Sequence, residues 1–218
     1  MMLAAAAIFA GTMTASAQFM GGSSRTTSGA DGYSAIWAGY APTTFKYSDD
    51  GSSVSEEGYN TFSIGWTKAT PLQSSLLGEY GVFADLTYKK EKDHGVTTTK
   101  TLLGVKVPVN VLYALPLGEG ITLYPYAGLN GKLYLLGSAK AKYEDESETT
   151  NLFSKDDMGD EAFKRLTIGY QFGLRVGFGN YFASIGYTDD ITKIADYTTI
   201  NKIEIGVGML FSQPTAPR

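Results

Sequence analysis

The chain has 218 residues, with 26 Gly, 15 Tyr, 11 Phe, no Cys and a single His. That length suits one domain or one barrel and leaves little room for two. The absence of Cys excludes disulfides, thiolate zinc sites and thiol catalysis, one His excludes a multi-His metal site, and a net charge of −4 gives no support to nucleic-acid binding.

Residues 1–17, MMLAAAAIFAGTMTASA, carry no charge. The apolar run is shorter than the ~20 residues a membrane-spanning helix needs, and Ala15-Ser16-Ala17 fits the small-x-small rule of a signal-peptidase site. We read 1–17 as a cleaved signal peptide, although the basic start usual for such peptides is missing. Residues 18–32 read as a flexible periplasmic lead-in, 33–211 as the folded body and 212–218 as a short tail. No later segment has 18 uncharged apolar residues, so no transmembrane helix is expected.

The body reads as eight strands: Tyr33–Tyr40, Tyr59–Thr67, Leu77–Tyr88, Leu103–Tyr113, Ile121–Leu136, Arg165–Phe178, Tyr181–Thr188 and Lys202–Phe211. In the sixth, Leu166, Ile168, Tyr170, Phe172, Leu174, Val176 and Phe178 alternate with Arg165, Thr167, Gly169, Gln171, Gly173, Arg175 and Gly177. A strand turns successive side chains to opposite faces, so this is a period-two element with one oily surface. Only the first strand is ambiguous, since Ile36 or Trp37 could belong to that surface.

A soluble barrel also alternates, so the decision rests on where charge is absent. The apolar faces hold no Lys, Arg, Asp or Glu between their ends. The opposite faces hold Glu79, Asp85, Lys106, Lys132, Arg165, Arg175, Lys202 and Glu204 among glycines, threonines and tyrosines. A Lys or Arg facing mid-bilayer lipid costs about 2–4 kcal/mol, whereas a narrow polar lumen lets mixed charges pair. Aromatic residues cluster near strand ends: Trp66, Tyr80, Tyr113, Phe178, Tyr181 and Phe211 at one, Phe62, Tyr88 and Tyr187 at the other. That arrangement predicts two interfacial girdles. The reading is all-β: an eight-stranded antiparallel up-and-down transmembrane barrel. Long polar connections at 46–57, 89–98, 138–163 and 189–198 are then external, and the shorter ones at 68–76, 115–120 and 179–180 periplasmic, with both termini periplasmic.

The pattern Glu204-x-Gly206-x-x-Met209-x-Phe211 resembles the C-terminal signal read by the barrel assembly machinery. Lys106-Val-Pro-Val-Asn110, followed by Tyr124-Pro-Tyr126-Ala-Gly128, is similar to paired central strands of the porin-family outer-membrane β-barrel domain of Gram-negative bacteria, OmpA/OmpX-like in architecture. The resemblance spans about 33–211. It implies a cell outer membrane location, contact with lipid and lipopolysaccharide, and assembly by that machinery.

His94, in the second external connection, has no Ser at a spacing that pairs with it as a catalytic set requires; Ser48, Ser52 and Ser53 read as loop serines. It reads as an exposed loop residue, and the chain as a non-enzyme without cofactor or metal. The third external connection holds eight acids (Glu144, Asp145, Glu146, Glu148, Asp156, Asp157, Asp160, Glu161) against Lys140, Lys142 and Lys155. It lacks a calcium-loop pattern and reads as a solvated face, with cation bridging or a basic partner as the alternative. The expected role is that of a monomeric structural or surface-interaction barrel. A narrow porin-like pore is the alternative, and a lipid-modifying barrel enzyme is third.

Overall fold

The computed structural model describes residues 32–49, 52–93, 95–118, 120–143, 146–159 and 162–212. Its strands in chain order are β1 (Tyr33–Asp49), β2 (Ser52–Gln73), β3 (Leu76–Asp93), β4 (Val96–Tyr113), β5 (Leu115–Gly118), β6 (Ile121–Lys142), β7 (Ser147–Asn151), β8 (Leu166–Phe178), β9 (Tyr181–Asp190) and β10 (Thr198–Ser212). The eight long strands pair antiparallel in the order β4-β3-β2-β1-β10-β9-β8-β6, and a β4–β6 ladder closes the ring. β5 and β7 are short additions to β6. No described helix is long and apolar enough to cross a membrane.

All eight expected strands are present, but most run further than the sequence indicates. The connection at 46–57 is mostly a continued β1–β2 hairpin, and that at 89–98 a continued β3–β4 hairpin. Within 68–76, β2 reaches Gln73, and within 115–120 lies β5. Past the oily band the outward face turns polar and the inward face carries only scattered apolar residues such as Phe45, Leu102 and Ile200, so regular hydrophobic alternation no longer marks a strand whose backbone ladder continues. Connection 138–163 likewise holds the end of β6, then β7, then one helical turn at Lys155–Met158. The proposed signal peptide, residues 18–31 of the lead-in and the tail from 213 lie outside the described residues.

Two irregularities set the phase. Gly58 has φ +89°, where β1 and β2 shift register between Thr43 and Phe45. A second shift, between Leu103 and Gly104 of β4, leaves both Leu135 and Leu136 of β6 exposed. Such bulges place two residues opposite one and reverse the phase beyond them. Gly137 and Ala139 therefore turn inward, and Ser138 and Lys140 outward.

The ambiguity at β1 resolves with Trp37 inside, 7 % exposed, its Nε1 donating to Ser184 Oγ at 3.1 Å. The indole lies across Gly206 of β10, so closely that an added Cβ would overlap the ring. Glycine at 206 is thus a packing requirement of barrel closure. Gly206→Ala is expected to destabilise the refolded barrel by about 1–3 kcal/mol through overpacking. Trp37→Leu in the same chain should restore much of that loss in urea titrations, whereas equal stability of wild type and Gly206→Ala would refute the contact.

Candidate functional site: the filled lumen and its capped mouth

Inward positions along the ladders bring the charged residues into two groups. In the first, Arg175 of β8 donates to Glu79 of β3 at 2.6 and 3.3 Å and to Tyr33 Oη at 2.5 Å. Tyr33 and Asn110 also donate to Glu79, at 3.1 and 3.0 Å, and Gln171 donates to Asn110 at 2.7 Å. The guanidinium also lies over the Phe182 ring, 4.7 Å from its centroid.

In the second group, Lys106 donates to both oxygens of Glu204 at 3.1 and 3.0 Å, and Lys202 donates to Asp85 at 2.8 Å. Ser63 supplies Glu204 with a further bond at 3.0 Å. Farther along, Lys132 donates to Asp190 at 2.5 Å. Four cations thus face four anions, all buried, and these layers of the lumen are neutral. Unpaired, each would carry a desolvation penalty of several kcal/mol, so mutual pairing is the condition for their burial. A cavity beside Asp85, Lys106, Lys132 and Lys202 measures about 20 Å³, room for one water.

Two residues depart from expectation. Arg165 is not in the lumen: β8 begins at Leu166, and the Arg165 side chain is exposed, donating to the Leu135 carbonyl at 2.9 Å and stacking over Phe153. Asp190 is in it, although the sequence reading ended its strand at Thr188. The signal was present, because Ser184, Gly186, Thr188 and Asp190 continue one inward phase.

Apolar clusters lie at both ends of the charged layers, which composition does not announce. Toward the short turns, Tyr33, Trp37, Leu77, Phe83, Leu112 and Phe182 pack together. Toward the long connections, Phe45, Tyr59, Leu102, Tyr134, Leu152 and Ile194 form a second cluster, with Phe153, Met158 and Phe163 against it. The third connection is therefore not simply a solvated acidic face: its apolar residues fold over the barrel mouth. Of its acids, Glu146, Glu148, Asp156 and Asp157 are described, whereas Glu144, Asp145, Asp160 and Glu161 are not. His94 too lies outside the described residues. No group of three potential metal ligands occurs among the described residues.

Beneath this cover is a cavity of about 370 Å³ lined by Phe45, Tyr59, Leu102, Leu152, Phe163 and Lys100, among others. At its side Glu56 accepts from Lys89 and Lys100, each at 2.9 Å, and from Tyr47 and Tyr59, each at 3.0 Å.

Outside, Ile64, Val82, Val109, Leu129, Ile168, Ile185 and Val207 stand exposed on a continuous band. Toward the turns, Tyr80, Tyr113, Phe178, Tyr181 and Phe211 are exposed on that face, with Trp66 beside Tyr80. Toward the mouth stand Phe62, Tyr88 and Tyr187, joined by Tyr40, Tyr170 and Phe172. Among the residues of the last-strand pattern, Glu204 points into the lumen, Gly206 faces Trp37, and Met209 and Phe211 face outward.

No protein-family description and no curated protein matches the chain. Solved structures do. The attachment invasion locus protein Ail of Yersinia pestis aligns with a TM-score of 0.50 at 16 % identity, over 83 % of this chain and 99 % of that one. Neisserial surface protein A aligns at 0.46 and 14 % identity, over 82 % and 97 %. The outer membrane enzyme PagL aligns at 0.45 and 15 % identity, over 80 % and 98 %. At these identities the likeness is one of fold. The chain has the architecture of a small outer-membrane-type β-barrel, OmpA/OmpX-like, as its strand phase suggests.

Two outcomes follow from the ion pairs. Arg175→Met leaves Glu79 buried without its partner and is expected to cost about 3–5 kcal/mol in urea unfolding, most of which Glu79→Met in the same chain restores. At the mouth, burial opposes ionisation of Glu56, but the hydrogen bonds from Lys89 and Lys100 outweigh it and lower its pKa from 4.5 to about 2. Because the folded value lies below the unfolded one, this stabilisation is complete above pH 4.5 and is lost as pH falls through 2. Carboxyl NMR should find a Glu56 midpoint near 2; a midpoint near 4.5 would mean the cluster does not form.

Proposed function

We propose that the chain is an integral barrel of the cell outer membrane with a structural or surface-interaction role and no conducting pore or enzymatic activity. Its apolar band would face lipid, the short turns the periplasm and the capped mouth the exterior, with both termini periplasmic. The observation that carries this reading is the neutral lumen, filled by paired charges and closed at both ends by apolar clusters. An eight-stranded wall leaves an interior just wide enough for side chains to fill. The charge-free outward band supports the membrane placement, since exposing so broad an apolar surface to water is unfavourable.

On this reading the barrel is monomeric, with lipid and lipopolysaccharide around it. The assembly machinery would recognise the last strand through Glu204, Gly206, Met209 and Phe211. Export by residues 1–17 belongs to the same proposal. The porin-like alternative would need a water path through the ion-pair layers, where the cavity beside Asp85 and Lys106 has room for about one water.

Reconstitution into planar bilayers tests the proposal. Closed lumens give at most small, irregular currents, and Arg175→Met should raise their frequency by loosening the packed layer. Large, stable conductance steps from wild-type protein would overturn the closed-barrel reading.

A further inference from the structure

Beyond the band, β3, β4 and β6 continue past the ring's polar rim and take on β7 as a fourth strand. Their register sets side chains in two rows. Lys90 stands opposite Thr99, Thr99 opposite Lys140, and Lys140 opposite Thr149. One step farther out, Lys92 stands opposite Thr97, Thr97 opposite Lys142, and Lys142 opposite Ser147. Directly opposed residues share a face of the sheet, as do residues two apart on one strand. All eight side chains therefore occupy one face. Tyr88, two residues before Lys90 and exposed on the apolar band, identifies it as the outward face.

The composition of this face is one-sided. Among the described residues it has four exposed lysines, four Ser or Thr hydroxyls and no carboxylate. Glu91 and Glu148, on the same strands, fall in the opposite phase, and Glu91 pairs there with Lys89 at 3.1 Å. None of the four lysines forms an ion pair among the described residues. Adjacent strands lie about 4.8 Å apart and alternate residues about 7 Å apart, so the ammonium stems mark the corners of a patch roughly 7 by 10 Å. Like charges held that close repel unless an anion lies among them.

We propose that this face is a docking site for the phosphate groups of outer-leaflet glycolipid. The inference rests on the outer-membrane placement proposed above and names the lipid-contacting residues within it. Position favours a membrane headgroup over a soluble polyanion. The rows begin at the first outward residue after Tyr88, on the same face that carries the apolar band. A lipid whose chains lie along that band would have its headgroup at this height. Lysine provides a point charge suited to phosphate, and the interleaved hydroxyls can donate to phosphate oxygens.

The test uses the full mature chain folded into phosphatidylcholine vesicles, alone or doped with diphosphoryl lipid A. Heat-modifiable gel migration reports folding, and lipid retained by the purified barrel is quantified by mass spectrometry. Wild type should retain lipid A over phosphatidylcholine. The combined variant Lys90→Gln, Lys92→Gln, Lys140→Gln, Lys142→Gln should lose about fivefold in lipid A affinity per lysine removed while folding normally in phosphatidylcholine. Lipid A stripped of phosphate should bind wild type no better than diphosphoryl lipid A binds the variant. A wild-type chain that does not fold into vesicles would defeat the membrane placement itself. Normal folding with equal lipid A retention by wild type and variant would overturn the docking site alone. So would lysine-dependent binding of dextran sulfate with no response to lipid A phosphates, which would assign the face to a soluble polyanion.

Discussion

A closed wall of eight strands has one inside and one outside, and every charged residue within the apolar band must go inward. There it meets a space too narrow for bulk water, so its charge has to be answered by another side chain. The pairs Arg175–Glu79, Lys106–Glu204, Lys202–Asp85 and Lys132–Asp190 meet that demand. They join strands far apart in sequence and fix which residues oppose one another across the lumen. A one-residue slip of any strand would send these charges to the apolar face and its aliphatic residues into the lumen. Register, neutrality and the outward apolar surface are thus one constraint seen from three sides.

The glycines and aromatics make the rest of the interior fit around those pairs. Trp37 occupies the space left by Gly206 and bonds Ser184, while Phe182 and Tyr126 flank Arg175. Apolar layers above and below the charges exclude water from the ends. This lowers the local dielectric and raises the cost of leaving any partner unmatched. On the proposed reading the same arrangement makes the lumen a poor conduit. An ion entering would have to displace a paired side chain and cross two hydrophobic layers.

At the mouth the character of the structure changes. Strands extend past the band as a sheet with two unlike faces: Lys89, Glu56 and Lys100 close inward on the mouth cavity, while Lys90, Lys92, Lys140 and Lys142 stand outward. Strand alternation separates the two sets without any change in composition along the chain. The KKEK run at 89–92 looks like an undifferentiated charged loop in sequence, yet in a strand it supplies both an internal ion cluster and an external basic face.

The amino-acid sequence by itself determined the number of barrel strands, the identity of the outward apolar face and nearly all the lumen charges. Those follow from period-two alternation, which an apolar environment on one face makes visible in residue type. Only the tertiary structure decided how far each strand runs, because once the outward face turns polar a ladder can continue without regular hydrophobic alternation. It also decided that Trp37 lies inside, since the vacancy it fills is made by Gly206, distant in sequence. The exclusion of Arg165 and inclusion of Asp190 depended on where the ladders of β8 and β9 begin and end. The pairing of cation with anion was likewise undetermined by phase, which says that a side chain points inward but not what stands across the lumen from it.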